Sequence, residues 1–213
     1  MNVKEAYDNW SEQYDSNKNR TRDLEAIALR QSLKEQHFDY CLEIGCGTGK
    51  NTAYLAAIAN NVVAIDLSEE MLAKAIAKND AKNVNFLQAD IHKAWHFTDN
   101  NKFDLAVFSL VLEHIENLDK IFERLYEVLN PNALVYIGEL HPSKQYSGTK
   151  ARFETTEGLQ IVTCFTHHIS DFVNSAKKYN FKLIDINEYF DDDDKTTMPR
   201  ILTMIFEKNK VHP

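Results

Sequence analysis

The stretch LEIGCGTGKNT, residues 42–52, decides the fold and raises the first question about a ligand. Gly45, Gly47 and Gly49 alternate with small residues, an acidic residue precedes them and Lys50 follows. A glycine-rich turn lets the backbone approach a ligand closely, and a helix that begins after it suits an anionic group. The stretch alone leaves a nucleoside triphosphate, a dinucleotide and other ligands open.

Short apolar runs alternate with helical patterns on both sides of this stretch. The predicted strands span 39–44, 61–66, 83–88, 103–109 and 133–140, and the predicted helices between them span 49–59, 68–79 and 117–129. Ser68 is placed to cap the second of these helices, and Asn130–Pro131 to stop the third. Near-continuous apolar strands that alternate with helices predict a parallel sheet covered on both faces.

The two ends of the chain predict further elements. Residues 3–15 form an amphipathic pattern with Tyr7, Trp10 and Tyr14 on one face, and a second helical segment follows at 21–36. Residues 141–168 predict an irregular or hairpin-like excursion, which precedes a helix at 170–179 and two long strands. We therefore expect one domain of the doubly wound α/β class with an N-terminal helical cap.

Composition excludes several classes of protein. The 213 residues suit one domain with a real core, and a net charge of -8 disfavours a nucleic-acid partner. Three cysteines without a CxxC pair predict neither a disulfide framework nor a zinc site and suit a reducing cytoplasm. The N-terminus does not resemble a signal peptide, and the apolar run at 105–112 is too short to cross a bilayer. We expect a soluble cytoplasmic protein.

The spacing of the glycines narrows the choice of ligand. A P-loop needs GxxxxGK[ST], but only three residues separate Gly45 from Gly49, and Lys50 is followed by Asn51. A dinucleotide fingerprint needs GxGxxG, whereas this chain has GxGxG. Asp66, 17 residues beyond Gly49, ends the second predicted strand and can accept two hydrogen bonds from ribose hydroxyls. The pattern favours a nucleoside without a pyrophosphate.

The predicted strands end in polar residues: Glu43, Asp66, Asp90, Ser109 and Glu139. In an open parallel sheet, ligands bind outside the carboxyl ends of the strands, so this set predicts a binding edge. The alternative for any single residue is that a strand simply becomes polar as it leaves the core.

Four motifs occur in order: LEIGCGTGKNT, AIDLSEEML, FLQADIHK and FDLAVFSLVLEHI. Together they resemble the class I S-adenosylmethionine-dependent methyltransferases, in particular the small-molecule branch, over about residues 38–140. The resemblance implies a seven-stranded Rossmann-like sheet whose last strand is antiparallel. It also implies methyl transfer from S-adenosylmethionine to a small-molecule acceptor, with S-adenosylhomocysteine as product.

The sequence patterns, together with the resemblance, predict a single domain, residues 1–213, in four parts. They are the helical cap at 1–36, the cofactor-binding core at 37–140, a substrate-side insertion at 141–168, and the C-terminal helix and strand pair at 169–213.

The resemblance also implies a place for each part of the cofactor. The backbone of Gly45, Cys46 and Gly47 would lie along its methionine part, with Glu43 beneath as an anchor and Gly49 completing the glycine turn. Carboxylates and aromatic faces favour a sulfonium cation, whereas a phosphate site would be lined by positive groups.

The nucleoside would be held by the next two motifs. Asp66 would bind the ribose, Leu67 and Met71 would sandwich the adenine, and Asp90 with the amide of Ile91 would read the adenine edge.

The sulfonium end would be bordered by Ser109 and Leu110, after the fourth predicted strand, and Tyr14 would lie near the cofactor. The face of Tyr7, Trp10 and Tyr14 would cover cofactor and acceptor, or would simply pack the helix on the domain.

Methyl transfer needs alignment and exclusion of water, and needs a base only when the acceptor loses a proton. His141 and His168 are the candidates for that base, with a solvated or structural histidine as the alternative. His167 lies beside His168, and His114 lies close to the sulfonium end, where its alternative is a histidine on a helix surface.

The acceptor is narrowed by exclusion. The Asp/Asn-Pro-Pro-aromatic motif of nucleic-acid amino-methylating relatives is missing, since SLVLEH stands in its place. Lys144, Lys150 and Arg152 could engage an anionic acceptor or form a solvated rim. Residues 191–194, DDDD, lack the spacing of a calcium loop, so we expect no metal.

Two other functions stay open. A nicotinamide-dependent oxidoreductase would share the sheet and Asp66, although GxGxG argues against it. A non-catalytic cofactor-binding or scaffold protein would keep the glycine loop without turnover. The sequence does not decide the acceptor, the methylated atom or the oligomeric state.

Overall fold

The computed structural model describes residues 2–99, 101–155 and 158–210. Nine strands occur in this part of the chain: β1 Phe38–Ile44, β2 Ala59–Asp66, β3 Val84–Gln88, β4 Phe103–Ser109, β5 Leu129–Leu140, β6 Arg152–Thr155, β7 Gly158–Ile161, β8 Phe181–Tyr189 and β9 Ile201–Lys208. Seven of them form one sheet in the order β3-β2-β1-β4-β5-β9-β8, while β6 and β7 pair as a separate hairpin.

The sheet has the predicted directions. Strands β1 to β5 run parallel, and β9 is antiparallel to both of its neighbours, β5 and β8. The seven-stranded, doubly wound sheet with an antiparallel last strand is therefore confirmed. The order of the strands reverses at β1, because β2 and β4 flank it. Open α/β sheets bind ligands at such a switch point, beyond the carboxyl ends of the strands.

Seven α-helices connect or cover the strands in the described residues: α1 Val3–Tyr14, α2 Arg20–Ser32, α3 Thr52–Ile58, α4 Glu69–Lys78, α5 Leu118–Val128, α6 Pro142–Tyr146 and α7 Ile169–Lys178. Ser68 caps α4 as predicted, since its Oγ accepts a hydrogen bond of 3.1 Å from the amide of Met71. Helix α3 begins three residues later than predicted, because Gly49 has a φ of +79° that a helix does not adopt.

The prediction for Asn130–Pro131 needs a correction. Helix α5 already ends at Val128, and both residues lie in β5. Phe103 pairs with Leu129 and Leu105 with Leu134, so β5 carries extra residues at its start. A proline, which has no amide hydrogen to donate, is accommodated at such an irregularity near the beginning of a strand.

Two hydrophobic clusters cover the two faces of the sheet. Val135 belongs to the cluster that contains Phe122 of α5, whereas its neighbour Tyr136 belongs to the cluster that contains Leu29 of α2. Successive strand residues point to opposite faces, so both faces of the sheet are buried, as a parallel sheet requires. None of the described helices has the length and apolar character needed to cross a membrane.

Helix α1 closes one end of the molecule. Ala6 and Trp10 of α1 are buried against Met71 of α4 and Val162, which follows β7. The excursion predicted for 141–168 consists of α6 and the β6–β7 hairpin, so it reaches the same region as α1. The predicted division of the chain into cap, core, insertion and C-terminal part stays a prediction.

Candidate functional site

The glycine turn lies directly beyond the carboxyl end of β1. The amides of Gly45 and Cys46 donate to the carbonyl of Ile65 at 2.8 and 2.9 Å, which joins the turn to β2. Gly45 has a φ of +73°, and a Cβ atom there would lie 2.4 Å from Cγ2 of Val111. Gly47 has a φ of +53°, but a Cβ atom there would have no neighbour within 4 Å in the described structure. Gly45 therefore permits close packing, whereas Gly47 borders open space.

Asp66 fixes the turn to the start of α4. Its Oδ2 accepts a hydrogen bond of 2.8 Å from the amide of Gly47, and its Oδ1 accepts one of 2.9 Å from the amide of Ser68. Burial raises the pKa of the Asp66 carboxyl, while these amide hydrogen bonds oppose the rise. Each carboxylate oxygen has two lone pairs, so Asp66 keeps the capacity to accept bonds from a ligand.

A cavity of about 120 Å³ lies beside this turn, at the switch point of the sheet. Nine of the thirteen predicted cofactor-binding residues line it: Tyr14, Gly45, Gly47, Asp66, Leu67, Asp90, Ile91, Ser109 and Leu110. Residues from four strand ends and from α1 thus meet around one space, although they are far apart in the sequence.

The other four predicted residues, Glu43, Cys46, Gly49 and Met71, do not line the cavity. Glu43 is buried behind the turn, where its Oε2 accepts a hydrogen bond of 2.6 Å from Oγ1 of Thr52. Burial raises the pKa of Glu43 to about 8. Glu43 therefore supports the turn and the start of α3 from beneath.

Gly49, Cys46 and Met71 have packing contacts in this structure. A Cβ atom at Gly49 would lie 3.2 Å from that of Ala75, so α4 packs closely against the turn. Cys46 is buried in the cluster on the α2 side of the sheet. Met71 has no exposed surface and belongs to the cluster beneath α1.

His114 is the histidine that lines the cavity beside Leu110. Its Nδ1 lies 2.8 Å from the carbonyl oxygen of Thr163, and its Nε2 lies 2.9 Å from Oη of Tyr7. A carbonyl can only accept, so Nδ1 carries the hydrogen, and Nε2 of the neutral ring accepts from Tyr7. The interpretation of His114 as a helix-surface histidine is wrong, because it lies in a buried 3₁₀ turn with 8% of its surface exposed.

His141 and His168 are not part of the cavity lining. Nε2 of His141 lies 2.8 Å from Oε1 of Glu188, and burial lowers the pKa of His141. His168 precedes α7, and its Nδ1 lies 2.6 Å from Oη of Tyr146. Both histidines thus bond to side chains away from the switch point.

A cluster of possible metal ligands lies next to His114. Glu113, His114 and Cys164 each offer one ligand atom, and these atoms lie within 4.8 Å of one another. Both ring nitrogens of His114 have protein partners, and burial together with Glu113 raises the pKa of the Cys164 thiol to about 12. A metal ion would displace these hydrogen bonds, so the donor set favours a protein network. Residue spacing carries no signal for this cluster, because Cys164 lies 50 residues beyond His114 along the chain.

A second, open cleft adjoins the cavity. Tyr7, Tyr14 and Leu110 line both spaces, so these three residues form the boundary between them. Six basic residues line the cleft: Lys18, Arg20, Arg22, Lys150, Arg152 and Arg200. The sequence had indicated only Lys150 and Arg152 among these, and Lys144 is outside the lining.

Comparison with known proteins finds similarity over the central part of the chain. Residues 42–137 match the family model described as a methyltransferase domain. The chain is similar to the ubiquinone biosynthesis O-methyltransferase of Rickettsia canadensis (strain McKiel), at 31% identity over 106 residues, which cover 49% of this chain and 44% of that protein. It is also similar to the trans-aconitate 2-methyltransferase of Deinococcus radiodurans, at 31% identity over 118 residues, 54% of this chain and 42% of that protein. The chain thus spans less than half the length of these curated relatives.

Solved structures show the same fold. The N-methyltransferase NodS from Bradyrhizobium japonicum WM9, solved with S-adenosyl-L-homocysteine, superposes with a TM-score of 0.73 at 16% identity, covering 99% of this chain and all of NodS. The Rossmann-like methyltransferase fold expected from the resemblance is confirmed over nearly the whole chain.

Proposed function

We propose that this chain, whose residues 42–137 match the family model described as a methyltransferase domain, is a class I S-adenosylmethionine-dependent methyltransferase that transfers a methyl group from S-adenosylmethionine to a small-molecule acceptor. The cavity at the switch point carries the proposal. It brings together a glycine turn, an acidic residue at the end of β2 and another after β3, around one space beyond the carboxyl ends of the strands.

The methionine part of the cofactor is assigned to the glycine turn. Gly47 leaves open space beside its backbone, so a ligand can approach the turn closely. Glu43 supports the turn from behind the cavity wall, Cys46 fixes it to β2, and Gly49 allows α4 to pack against it. In this proposal these three residues position the turn without touching the cofactor.

The adenosine part is assigned to the other side of the cavity. Asp66 accepts hydrogen bonds from the ribose hydroxyls with its remaining lone pairs. Asp90 and the backbone amide of Ile91 bind the edge of the adenine ring. Leu67 supplies an apolar wall for the adenine ring. Met71 packs beneath α1 and does not line the cavity, so in this proposal it has no contact with the adenine.

The sulfonium end is assigned to the region of Ser109, Leu110 and Tyr14, where His114 also lies. A lone pair of the acceptor attacks the methyl carbon while the carbon–sulfur bond breaks, and the bonding electrons stay on sulfur as S-adenosylhomocysteine forms. The chain aligns the two reactants and excludes water. When the acceptor is a hydroxyl, its proton passes to Nε2 of His114, after Tyr7 turns its hydroxyl away from that nitrogen.

The small-molecule class of acceptor is supported by the relatives, whose names specify ubiquinone biosynthesis and trans-aconitate. The net charge of -8 also disfavours a nucleic acid. We place the protein in the cytoplasm, because the free, buried thiols of Cys41 and Cys46 are compatible with a reducing compartment.

Isothermal titration calorimetry tests the proposal directly. The protein is titrated with S-adenosylmethionine, S-adenosylhomocysteine, NADH and ATP in parallel, and we expect binding of the first two only. A methyl-release assay against a panel of small molecules then separates an enzyme from a cofactor-binding scaffold. Binding of NADH without S-adenosylhomocysteine would overturn the proposal in favour of an oxidoreductase.

A further inference from the structure

The open cleft beside the cavity has a charge opposite to that of the whole protein. Six of its sixteen lining residues are lysine or arginine, and one is acidic, Glu113. In the full chain, lysine and arginine account for 24 of 213 residues, and the net charge is -8. This concentration of positive charge in a concave surface produces a local field that attracts anions.

Two of the six cations contact aspartates of the 191–194 turn. Arg200 forms a two-pronged ion pair with Asp191, with both nitrogen–oxygen distances at 2.5 Å, and Arg20 lies 3.8 Å from Asp192. Arg200 therefore contributes little net charge to the cleft, whereas the contact of Arg20 joins two exposed side chains and is weak.

The other four cations, Lys18, Arg22, Lys150 and Arg152, have no acidic partner within 4 Å among the described side chains, which do not include those of residues 153–157. Three of them are exposed, so their side chains can reach a ligand in the cleft. They come from the loop after α1 and from the start of the β6–β7 hairpin, on two sides of the same opening.

Arg22 is the buried member of the set. Its Nη1 and Nη2 donate to the carbonyls of Tyr14 and Asn17 at 2.6 and 3.1 Å, and its guanidinium lies 3.8 Å from the centre of the Tyr14 ring. Its Nε has no hydrogen-bond partner in the described structure, and 9% of the residue is exposed. Arg22 also acts at longer range on the Asp15 carboxyl and helps to lower its pKa, but no described carboxylate lies within 4 Å of the guanidinium, so its positive charge beneath the cleft favours an anion there.

The position of the cleft links it to the reaction. Tyr7, Tyr14 and Leu110 separate it from the cavity, and Leu110 borders the place assigned to the sulfonium end. On the basis of the proposed function, we propose that this cleft holds the methyl acceptor and selects a small molecule that carries a carboxylate, phosphate or phosphonate group. Lys150, Arg152 and Lys18 bind that group, and Arg22 supplies a fixed charge beneath it.

Glu113 is the acid that an anionic acceptor would meet. Burial raises the pKa of its carboxyl, so Glu113 takes up a proton more readily than a solvated glutamate and its repulsion is reduced.

The test is a methyl-transfer screen in which each acidic compound is paired with its neutral amide or ester. One arm contains carboxylates and the other contains phosphates and phosphonates, so the two sources of negative charge are distinguished. We expect transfer to acidic members of at least one arm. For the best acceptor, the double variant Lys150→Gln/Arg152→Gln should raise KM about tenfold, with kcat changed less than twofold, because both side chains act in binding.

The control is the double variant Lys82→Gln/Lys177→Gln, which removes two exposed lysines outside both spaces and should leave KM unchanged. Calorimetry with S-adenosylhomocysteine is run on every variant and should give one affinity throughout. Absence of that binding in the wild type overturns the proposed function. Two results overturn only the assignment of an anionic acceptor while cofactor binding is normal. One is methyl transfer to the neutral amides or esters, and the other is an unchanged KM in Lys150→Gln/Arg152→Gln.

Discussion

Oη of Tyr7 lies 2.9 Å from Nε2 of His114 and joins helix α1 to the 3₁₀ turn after β4. The two rings meet edge to face with their centres 5.5 Å apart. Since His114 lines the cavity and Tyr7 lines both the cavity and the cleft, this contact fixes the wall between the two spaces. The N-terminal helix is thus part of the site and not only a cover for the core.

The first prediction tests this contact. Tyr7→Phe removes the hydroxyl and leaves Nε2 of His114 without its donor, so the free energy of unfolding should fall by about 1–2 kcal/mol. Urea denaturation measures the change. Tyr40→Phe is the matched control, because Tyr40 is 37% exposed, and it should change the free energy by less than about 0.5 kcal/mol. Equal values for the two variants would contradict the assigned hydrogen bond.

The second prediction concerns the open space beside Gly47. Gly47→Ala and Gly148→Ala both place an alanine at a positive φ, and neither Cβ atom would meet a neighbour within 4 Å in the described structure. Both should therefore cost about 1–2 kcal/mol of stability. Only Gly47 lines the cavity, so only Gly47→Ala should weaken S-adenosylhomocysteine binding, by about tenfold or more in calorimetry. If the two variants bind equally well, the methionine part lies elsewhere.

The third prediction tests the assignment of the ribose. Asp66→Ala should weaken S-adenosylhomocysteine binding by about 1.5–3 kcal/mol, because charge-assisted hydrogen bonds are lost. Asp66→Asn should weaken it less, since the amide oxygen still accepts a hydrogen bond. Asp80→Ala, an exposed residue before β3, is the control. Calorimetry gives the dissociation constants, and an unchanged value for Asp66→Ala would remove Asp66 from the ribose site.

The fourth prediction follows from the pKa of Glu43, which burial raises from 4.5 to about 8. Between these values the folded protein binds more protons than the unfolded chain, so the stability that Glu43 confers is present below about pH 4.5 and is lost as the pH rises to about 8. One pKa unit corresponds to about 1.4 kcal/mol, so the loss is at most about 5 kcal/mol.

Urea denaturation across this pH range measures the effect. Glu43→Gln keeps an acceptor for Thr52 but does not titrate, so its stability should depend less on pH than that of the wild type. Glu12→Gln, at an exposed position, should follow the wild-type profile. If the stabilities of the wild type and of Glu43→Gln change with pH in the same way, Glu43 is ionised in the folded protein and the prediction is wrong.

The sequence predicted the sheet and the glycine turn, because these features depend on local patterns, and the family resemblance supplied most of the nine predicted residues that line the cavity. A strand such as β2 carries its own apolar run, and Asp66 directly follows it, so the position of Asp66 at the sheet edge required no knowledge of distant contacts. The confirmed antiparallel β9 came instead from the resemblance to a family.

The histidine at the site and the basic cleft depend on distant contacts. His114 is buried because Tyr7 and Thr163, 107 and 49 residues away, approach its two nitrogens. The cleft similarly combines residues near positions 20, 150 and 200. The sequence places His114 close to the sulfonium end, but spacing carries no signal for the burial of its ring or for the basic cleft, so the sequence favours His141 and His168 as candidate bases.

The last prediction compares the three histidines in turnover. For an acceptor methylated on a hydroxyl oxygen, His114→Gln should lower kcat about a hundredfold or more, because the glutamine side chain cannot take up the proton. His141→Gln and His168→Gln should keep kcat within about twofold, since neither residue lines the cavity. Steady-state kinetics at saturating S-adenosylmethionine measures kcat, and calorimetry with S-adenosylhomocysteine checks that each variant still binds the cofactor. If only His141→Gln loses kcat, the prediction is wrong and the general base is His141, whose Nε2 lies near Oε1 of Glu188.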